Sequence, residues 1–175
     1  MILVVSEKPS VAQQIAKVLG ATKHQEGYME GGEYLVSWCL GHLAEYVPPE
    51  HYDPRYKDWK FDDLPIVPSQ WTLSVASDKR EQFEVVKSLL NRSDVQYVVN
   101  ACDAGREGEL IFKRIYDLSE SKVPVKRLWI NSMEDSAIKE GLGRLSANKE
   151  VVKMQERRNV KQNNKMKSKG GQELD

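Results

Sequence analysis

An acidic turn between a predicted strand and a predicted helix constrains this chain more than any other feature of its sequence. Residues 98–102 form a continuous run typical of a buried strand, and residues 110–118 carry apolar side chains at helical spacing. Between them lie three carboxylates, on Asp103, Glu107 and Glu109. Carboxylates crowded at a strand end repel one another unless they share a cation, and oxygen ligands without neighbouring His or Cys suit Mg²⁺. The segment therefore predicts a magnesium site at the turn, which is where open α/β sheets bind their ligands.

Strand-like and helix-like patterns alternate along the rest of the chain up to about residue 146. The predicted strands cover residues 2–5, 34–40, 72–75, 98–102 and 125–130. Predicted helices begin at Pro9, after a capping box of Asp78 and Glu81, after the acidic turn, and after caps at Ser132 and Asp135. This alternation predicts an α/β fold with a parallel sheet of about four strands, flanked by helices on both faces.

The last part of the chain has a different composition. From about residue 147 the apolar pattern stops, and residues 149–175 contain eight Lys and Arg against four Asp and Glu, although the whole chain has a formal net charge of zero. Such a segment buries too little apolar surface to offset chain entropy. We therefore predict a domain over residues 1–146 and a basic, disordered tail over residues 147–175. Since the overall charge is neutral, any contact with nucleic acid must come from local patches.

The composition also indicates a cytoplasmic protein. No apolar run is long enough to span a membrane, and no signal-peptide pattern is present. The two cysteines, Cys39 and Cys102, lie in apolar strand-like runs, which favours buried, reduced thiols over a disulfide.

A proline-rich segment, residues 48–68, holds five of the seven prolines and interleaves aromatic with basic side chains. Two interpretations are open. The segment tracks a single nucleic-acid strand by charge and stacking, or Tyr56, Trp59 and Phe61 pin a long loop onto the domain. We favour the second interpretation.

The polar residues at the predicted strand ends have competing interpretations too. Glu7 and Lys8 follow the first strand, and they face Asp103 across a cleft if their two strands are neighbours in the sheet. Taken alone, they are better explained as a solvated loop pair. Acidic residues such as Asp103 and Glu107 also suit a helix N-terminus without any ligand. Three carboxylates with two glycines exceed what capping needs, so we favour metal binding.

Several segments, taken together, resemble the Toprim domain of type IA DNA topoisomerases, on the topoisomerase III branch. They cover residues 1–146 in order, and comprise residues 5–10 (Val-Ser-Glu-Lys-Pro-Ser), 40–43 (Leu-Gly-His-Leu), 52–68, 103–109 (Asp-Ala-Gly-Arg-Glu-Gly-Glu) and 128–132 (Leu-Trp-Ile-Asn-Ser). The resemblance implies the Toprim fold, a Rossmann-like parallel sheet, and half of an active site that cleaves and rejoins single-stranded DNA.

The resemblance also implies roles for individual residues. Glu7 matches the glutamate that acts as general acid and base at the scissile phosphodiester, and Lys8 matches the lysine beside that phosphate. Asp103 and Glu107 match positions that hold Mg²⁺, with Glu109 as a further candidate ligand.

Two further residues match positions close to the DNA. Arg106 is expected to contact the DNA backbone, as is Lys8, and His42 lies in the segment that borders the cleft, although a plain turn residue explains His42 equally well. The family's acidic signature often reads Asp-x-Asp-x-Glu, whereas Gly105 occupies the middle position here. This change removes one potential metal ligand.

Type IA enzymes take their tyrosine nucleophile from a separate domain far downstream, and none of the seven tyrosines here matches that context. The resemblance therefore implies a fragment that binds Mg²⁺ and single-stranded DNA weakly but does not relax supercoiled DNA alone. Two alternatives stay open: a Toprim nuclease or primase-like enzyme that works without a tyrosine, and a non-catalytic DNA-binding fragment.

Overall fold

The structure is a computed structural model that describes residues 1–130 and 132–147, with the backbone alone for Ser146 and Ala147. Apart from Ala147, the predicted basic tail lies outside the described residues, and its disorder stays a prediction. Within the described ranges, no helix has the length and apolar character needed to cross a membrane.

Nine strands occur in the described residues: β1 (Ile2–Ser6), β2 (Lys23–Gln25), β3 (Tyr28–Gly31), β4 (Tyr34–Trp38), β5 (Ala44–Tyr46), β6 (Leu73–Val75), β7 (Tyr97–Ala101), β8 (Val125–Arg127) and β9 (Ser146–Ala147). Seven of them form a central sheet in the order β2-β3-β4-β1-β7-β8-β9. The four inner strands β4, β1, β7 and β8 are parallel, which confirms the predicted parallel core. The outer strands β2, β3 and β9 pair antiparallel, and β2 and β9 form the two edges of the sheet.

Strand β1 is the centre of the sheet because both of its faces are apolar. Val4 pairs with Val36 on β4 and with Val99 on β7. Side chains alternate between the two faces of a strand, so Val4 packs in one core layer and Val5 in the other. All five residues of β1 are buried, as expected for a parallel strand covered on both sides.

Four helices provide the two covering layers: α1 (Pro9–Leu19), α2 (Arg80–Leu90), α3 (Arg106–Ser119) and α4 (Asp135–Gly143). Ile15 of α1 and Ile138 of α4 lie in the core on one face of the sheet, whereas Phe83 of α2 and Phe112 of α3 lie in the core on the other face. This arrangement confirms the predicted layering of helices on both faces.

The predicted helix caps are wrong in detail. The N-cap of α2 is Lys79 without a side-chain cap, because Asp78 belongs to a 3₁₀ turn over Ser77–Lys79. The N-cap of α4 is Glu134, and Ser132 instead accepts a hydrogen bond on its Oγ from the Glu134 amide at 3.2 Å.

One predicted strand belongs to a different sheet. Residues 73–75 form β6, which pairs with β5 in a separate two-stranded sheet. The hairpin of β2 and β3 was not predicted, because Lys23, His24 and Gln25 carry no alternating apolar pattern along this edge.

The prediction that Tyr56, Trp59 and Phe61 pin the proline-rich segment to the domain is wrong for Trp59 and Phe61. Tyr56 is half-buried, and its hydroxyl accepts a hydrogen bond from Arg55 of the same segment at 2.6 Å. Trp59 is 74% exposed and Phe61 is 89% exposed. Three short 3₁₀ turns, Pro49–His51, Pro54–Lys57 and Phe61–Asp63, organise the segment locally. Its anchor is Tyr52, whose hydroxyl accepts a hydrogen bond from the Thr72 amide at 2.9 Å.

The two cysteines are buried and free, as predicted. Cys39 follows β4 and Cys102 follows β7, so the two residues flank the end of β1. A hydrogen bond between the Cys102 and Cys39 side chains, together with burial, raises the pKa of Cys102 well above that of an ordinary thiol.

Candidate active site

The carboxyl ends of β1 and β7 bring the predicted acidic residues together. Ser6 of β1 pairs with Ala101 of β7, so the residues that follow both strands leave the sheet at one edge. Lys8 Nζ lies 3.0 Å from Asp103 Oδ2 and 4.0 Å from Glu7 Oε1. The lysine therefore links two carboxylates that are far apart in the sequence. The Asp103 carboxylate, by its hydrogen bond and its charge, raises the pKa of Lys8.

The turn between β1 and α1 sets the direction of Glu7 and Lys8. Lys8 occupies the N-cap in an extended conformation and Pro9 opens the helix, where a missing N–H costs nothing. The Gly41 amide donates to the Glu7 carbonyl at 3.2 Å, and Gly41 itself has a φ of 71°. Glycine adopts this left-handed conformation without strain. The Glu7 side chain is only 14% exposed, whereas that of Lys8 is 56% exposed.

The backbone of Asp103 is held by close neighbours, although its side chain is 53% exposed. The Asp103 carbonyl accepts hydrogen bonds from the Gly105 amide at 2.9 Å and from Arg127 Nη2 at 3.0 Å. A Cβ at Gly108 would lie 2.3 Å from the same oxygen. Only glycine therefore lets the first turn of α3 approach the turn this closely.

Glu107 lies in the first turn of α3, where the helix dipole favours a negative charge. Its carboxylate hydrogen-bonds His42 Nε2. Arg114 Nη1 lies 3.3 Å from His42 Nδ1, and a guanidinium can only donate. Nδ1 is therefore the acceptor, and the hydrogen on Nε2 points to Glu107.

Two further predicted site residues, Glu109 and Arg106, lie outside the contacts of Lys8 and His42 described above. Glu109 is buried, and its two oxygens accept hydrogen bonds from Arg127 Nε and, at 3.3 Å, from Asn100 Nδ2. Arg106 is exposed at the start of α3. Sequence reasoning missed Arg127 and Asn100. The available signal was the presence of Arg127 and Asn100 within predicted strands that are mostly apolar.

In the described conformation, no three His, Cys, Asp or Glu side chains within residues 1–130 and 132–147 are grouped to hold a metal ion. Asp103 contacts Lys8, and Glu107 contacts His42. The donor set still fits Mg²⁺, because Mg²⁺ needs only one or two carboxylates and completes its shell with water and phosphate. A cavity of about 250 Å³ also borders Asp103, but its lining is mostly apolar, with Val11, Leu128 and Ile130, and does not include Glu107.

The family of the chain follows from two comparisons with known proteins. A family model for the Toprim domain matches residues 2–133. DNA topoisomerase 3 of Shouchella clausii is 49% identical over 146 residues, which are 83% of this chain and 20% of that protein. DNA topoisomerase 3 of Bacillus anthracis is 48% identical over 147 residues, which are 84% of this chain and again 20% of that protein. The chain thus spans about a fifth of the length of these relatives.

The fold has a counterpart among solved structures. Full-length topoisomerase I from Thermotoga maritima superposes with a TM-score of 0.55 at 19% sequence identity, over 83% of this chain and 21% of that one. This likeness supports the fold alone, while the family model and the sequence identities confirm the resemblance drawn from the motifs. The chain belongs to the Toprim domain family, and its relatives include DNA topoisomerases 3.

Proposed function

We propose that this chain forms the magnesium-binding, acid and base half of a type IA DNA topoisomerase active site, of the topoisomerase III kind. The observation that carries the proposal is the Lys8 ammonium between Glu7 and Asp103, at the shared edge of β1 and β7. That edge is where open α/β sheets bind ligands. The partner is single-stranded DNA, and the cofactor is Mg²⁺.

Asp103 and Glu107 are the side chains proposed to hold Mg²⁺. Both are exposed, and they lie on the turn and on the first helical turn after β7. A bound ion supplies positive charge that screens the scissile phosphate. Glu109 is not carried into this proposal as a ligand, because Arg127 and Asn100 already engage both of its oxygens in the interior.

Glu7 and Lys8 are proposed to act at the phosphodiester itself. Glu7 gives a proton to the departing 3′ oxygen during cleavage and takes it back during rejoining. Its side chain is mostly shielded, and its Oε1 lies 4.0 Å from the exposed Lys8 ammonium, which suits a group that exchanges protons with a substrate bound to Lys8. Lys8 is free to exchange its contact with Asp103 for one with a phosphate oxygen. Arg106 and His42 are proposed to border the path of the DNA.

The tyrosine nucleophile belongs, in this proposal, to the part of the relatives that this chain does not match. The chain covers 20% of their length, so a complete cleavage site requires further domains. We therefore expect the 175-residue chain to leave supercoiled DNA unrelaxed.

Calorimetric titration with Mg²⁺ tests the proposal. We expect the wild-type chain to bind the ion and the double variant Asp103→Ala/Glu107→Ala to lose binding. Asp117→Ala is the matched control, because Asp117 is an exposed acid on the same helix whose carboxylate pairs with Lys113 at 2.8 Å. Absence of saturable binding by the wild-type chain, or equal binding by the double variant, would refute the proposed site.

A further inference from the structure

We propose that Arg127 is a positioning residue for this site: its guanidinium ties the Asp103 turn to α3 and so sets the spacing between Asp103 and Glu107. The inference rests on the proposed magnesium site. It explains how Asp103 on the turn and Glu107 on α3 keep a constant separation. Arg127 touches neither carboxylate proposed to hold the ion. It acts through the Asp103 backbone and through Glu109.

Arg127 is the largest side chain in the described residues with less than 2% exposure, and it is 1% exposed. Four of its five N–H groups have partners. Nε donates to the Glu109 carboxylate, Nη1 to the carbonyls of Asn100 at 3.0 Å and Leu128 at 2.6 Å, and Nη2 to the Asp103 carbonyl at 3.0 Å. One rigid, planar group therefore spans β7, β8, the acidic turn and α3.

The position of Glu109 connects the Arg127 hydrogen bonds to the two proposed Mg²⁺ ligands, Asp103 and Glu107. Glu109 lies two residues after Glu107 on α3. The Arg127 guanidinium donates both to Glu109 and to the Asp103 carbonyl. It therefore holds the helix that carries Glu107 at a fixed distance from the turn that carries Asp103. Asn100 Nδ2 holds the second oxygen of Glu109 at 3.3 Å, and Asn100 Oδ1 accepts from the Cys102 amide at 3.0 Å. The strand that leads into the turn is thereby part of the same network.

Stability alone explains this network poorly. Burying a carboxylate and a guanidinium costs desolvation energy, and apolar residues of similar volume often serve a core equally well or better. What an apolar pair lacks is a directed donor aimed at the Asp103 carbonyl. The guanidinium also lies 4.5 Å from the centre of the Trp129 ring, which is 49% exposed and covers its outer face. This is a cation–π contact, which arginine makes more often than lysine.

The test compares Mg²⁺ affinity with folding stability in Arg127→Lys. Lysine keeps the charge, but a single ammonium cannot reach Glu109 and the Asp103 carbonyl in the same fork. We expect the dissociation constant for Mg²⁺ to rise about tenfold or more, as for other residues that orient metal ligands. Arg127→Met/Glu109→Met is the second variant. It removes both buried charges, so it folds without an unpaired ion, and it should weaken Mg²⁺ binding to the same degree.

Gln82→Met is the matched control for lost buried hydrogen bonds. Gln82 is 9% exposed, and its amide donates to the carbonyls of Gly27 at 3.1 Å and Trp38 at 2.8 Å. This variant should lower the thermal unfolding midpoint and leave the Mg²⁺ dissociation constant unchanged. A merely structural role for Arg127 predicts that its variants behave in the same way as Gln82→Met.

The outcomes separate this inference from the proposed function. Mg²⁺ binding by Arg127→Lys within twofold of wild type would overturn the inference, as would loss of cooperative unfolding in both Arg127 variants. If the wild-type chain binds no Mg²⁺, the proposed function fails, and amide hydrogen exchange decides the inference. Faster exchange at Gly105, whose amide donates to the Asp103 carbonyl, with the central strands unchanged, would support positioning of the turn. Unchanged exchange at Gly105 would refute it.

Discussion

Gly108→Ala tests the contact between α3 and the acidic turn most directly. An alanine Cβ at this position would lie 2.3 Å from the Asp103 carbonyl oxygen and 2.9 Å from the Asp103 amide nitrogen. Both atoms are backbone, and the carbonyl is already hydrogen-bonded to Arg127. No side-chain rotation relieves the overlap, so α3 and the turn must separate.

The size of the effect follows from two opposing terms. Reaching an ordinary contact of 3.4 Å requires a displacement of about 1 Å, and overpacking of this kind costs about 1–3 kcal/mol. Replacing a glycine inside a helix with alanine stabilises the helix by about 0.5–1 kcal/mol. The difference centres on a net loss of about 1 kcal/mol in the free energy of unfolding, with an upper bound of about 2.5 kcal/mol. The same displacement moves Asp103 relative to Glu107, so we expect weaker Mg²⁺ binding as well.

Urea denaturation measures the first effect, and calorimetric titration with Mg²⁺ measures the second. Gly143→Ala is the matched control, because Gly143 closes α4 and a Cβ there meets no atom within 4 Å. This control should be as stable as wild type or slightly more so, with unchanged Mg²⁺ affinity. The reasoning is refuted if Gly108→Ala matches the stability and the affinity of the control.

Three further predictions concern single side chains. Lys8→Met should tighten Mg²⁺ binding by the isolated chain about two- to fivefold, since Lys8 competes for Asp103 through an exposed ion pair of modest strength; weaker binding in calorimetry would contradict this. Phe61→Ala should leave the urea midpoint unchanged, because the ring is 89% exposed; a shift comparable to loss of a core residue would show that it packs. Cys102 should react slowly with iodoacetamide at pH 8.5 in the folded chain and quickly in urea. The reason is that the contact with Cys39 and burial raise the pKa of Cys102 and keep the thiol protonated. Equal reaction rates, measured by mass spectrometry, would argue against this.

The sequence predicted the parallel core because its signal is local. A continuous apolar run such as residues 2–5, followed by a helix that opens at Pro9, allows few arrangements other than a covered parallel strand. The edge strands β2 and β9 escaped prediction because edge strands need no apolar pattern. Residues 72–75 were predicted as a strand, and residues 73–75 form β6, but its pairing with β5 was not predicted because a strand pattern does not identify the partner strand. The exposure of Trp59 and Phe61 was also missed, since an aromatic residue in a loop carries no periodic signal.

The candidate site also combines features that the sequence predicted with features that it did not predict. The sequence by itself determined that Glu7, Lys8 and Asp103 follow strands, and the rule that parallel strands end at one edge of a sheet predicted their meeting. Only the tertiary structure decided that Glu109 turns inward to Arg127, whereas Glu107, two residues earlier, stays exposed beside His42. The two glutamates are chemically identical and lie on one helix. What separates them is about 200° of helical rotation, which directs one carboxylate toward the cleft and the other into the core, where a buried charge must find a partner.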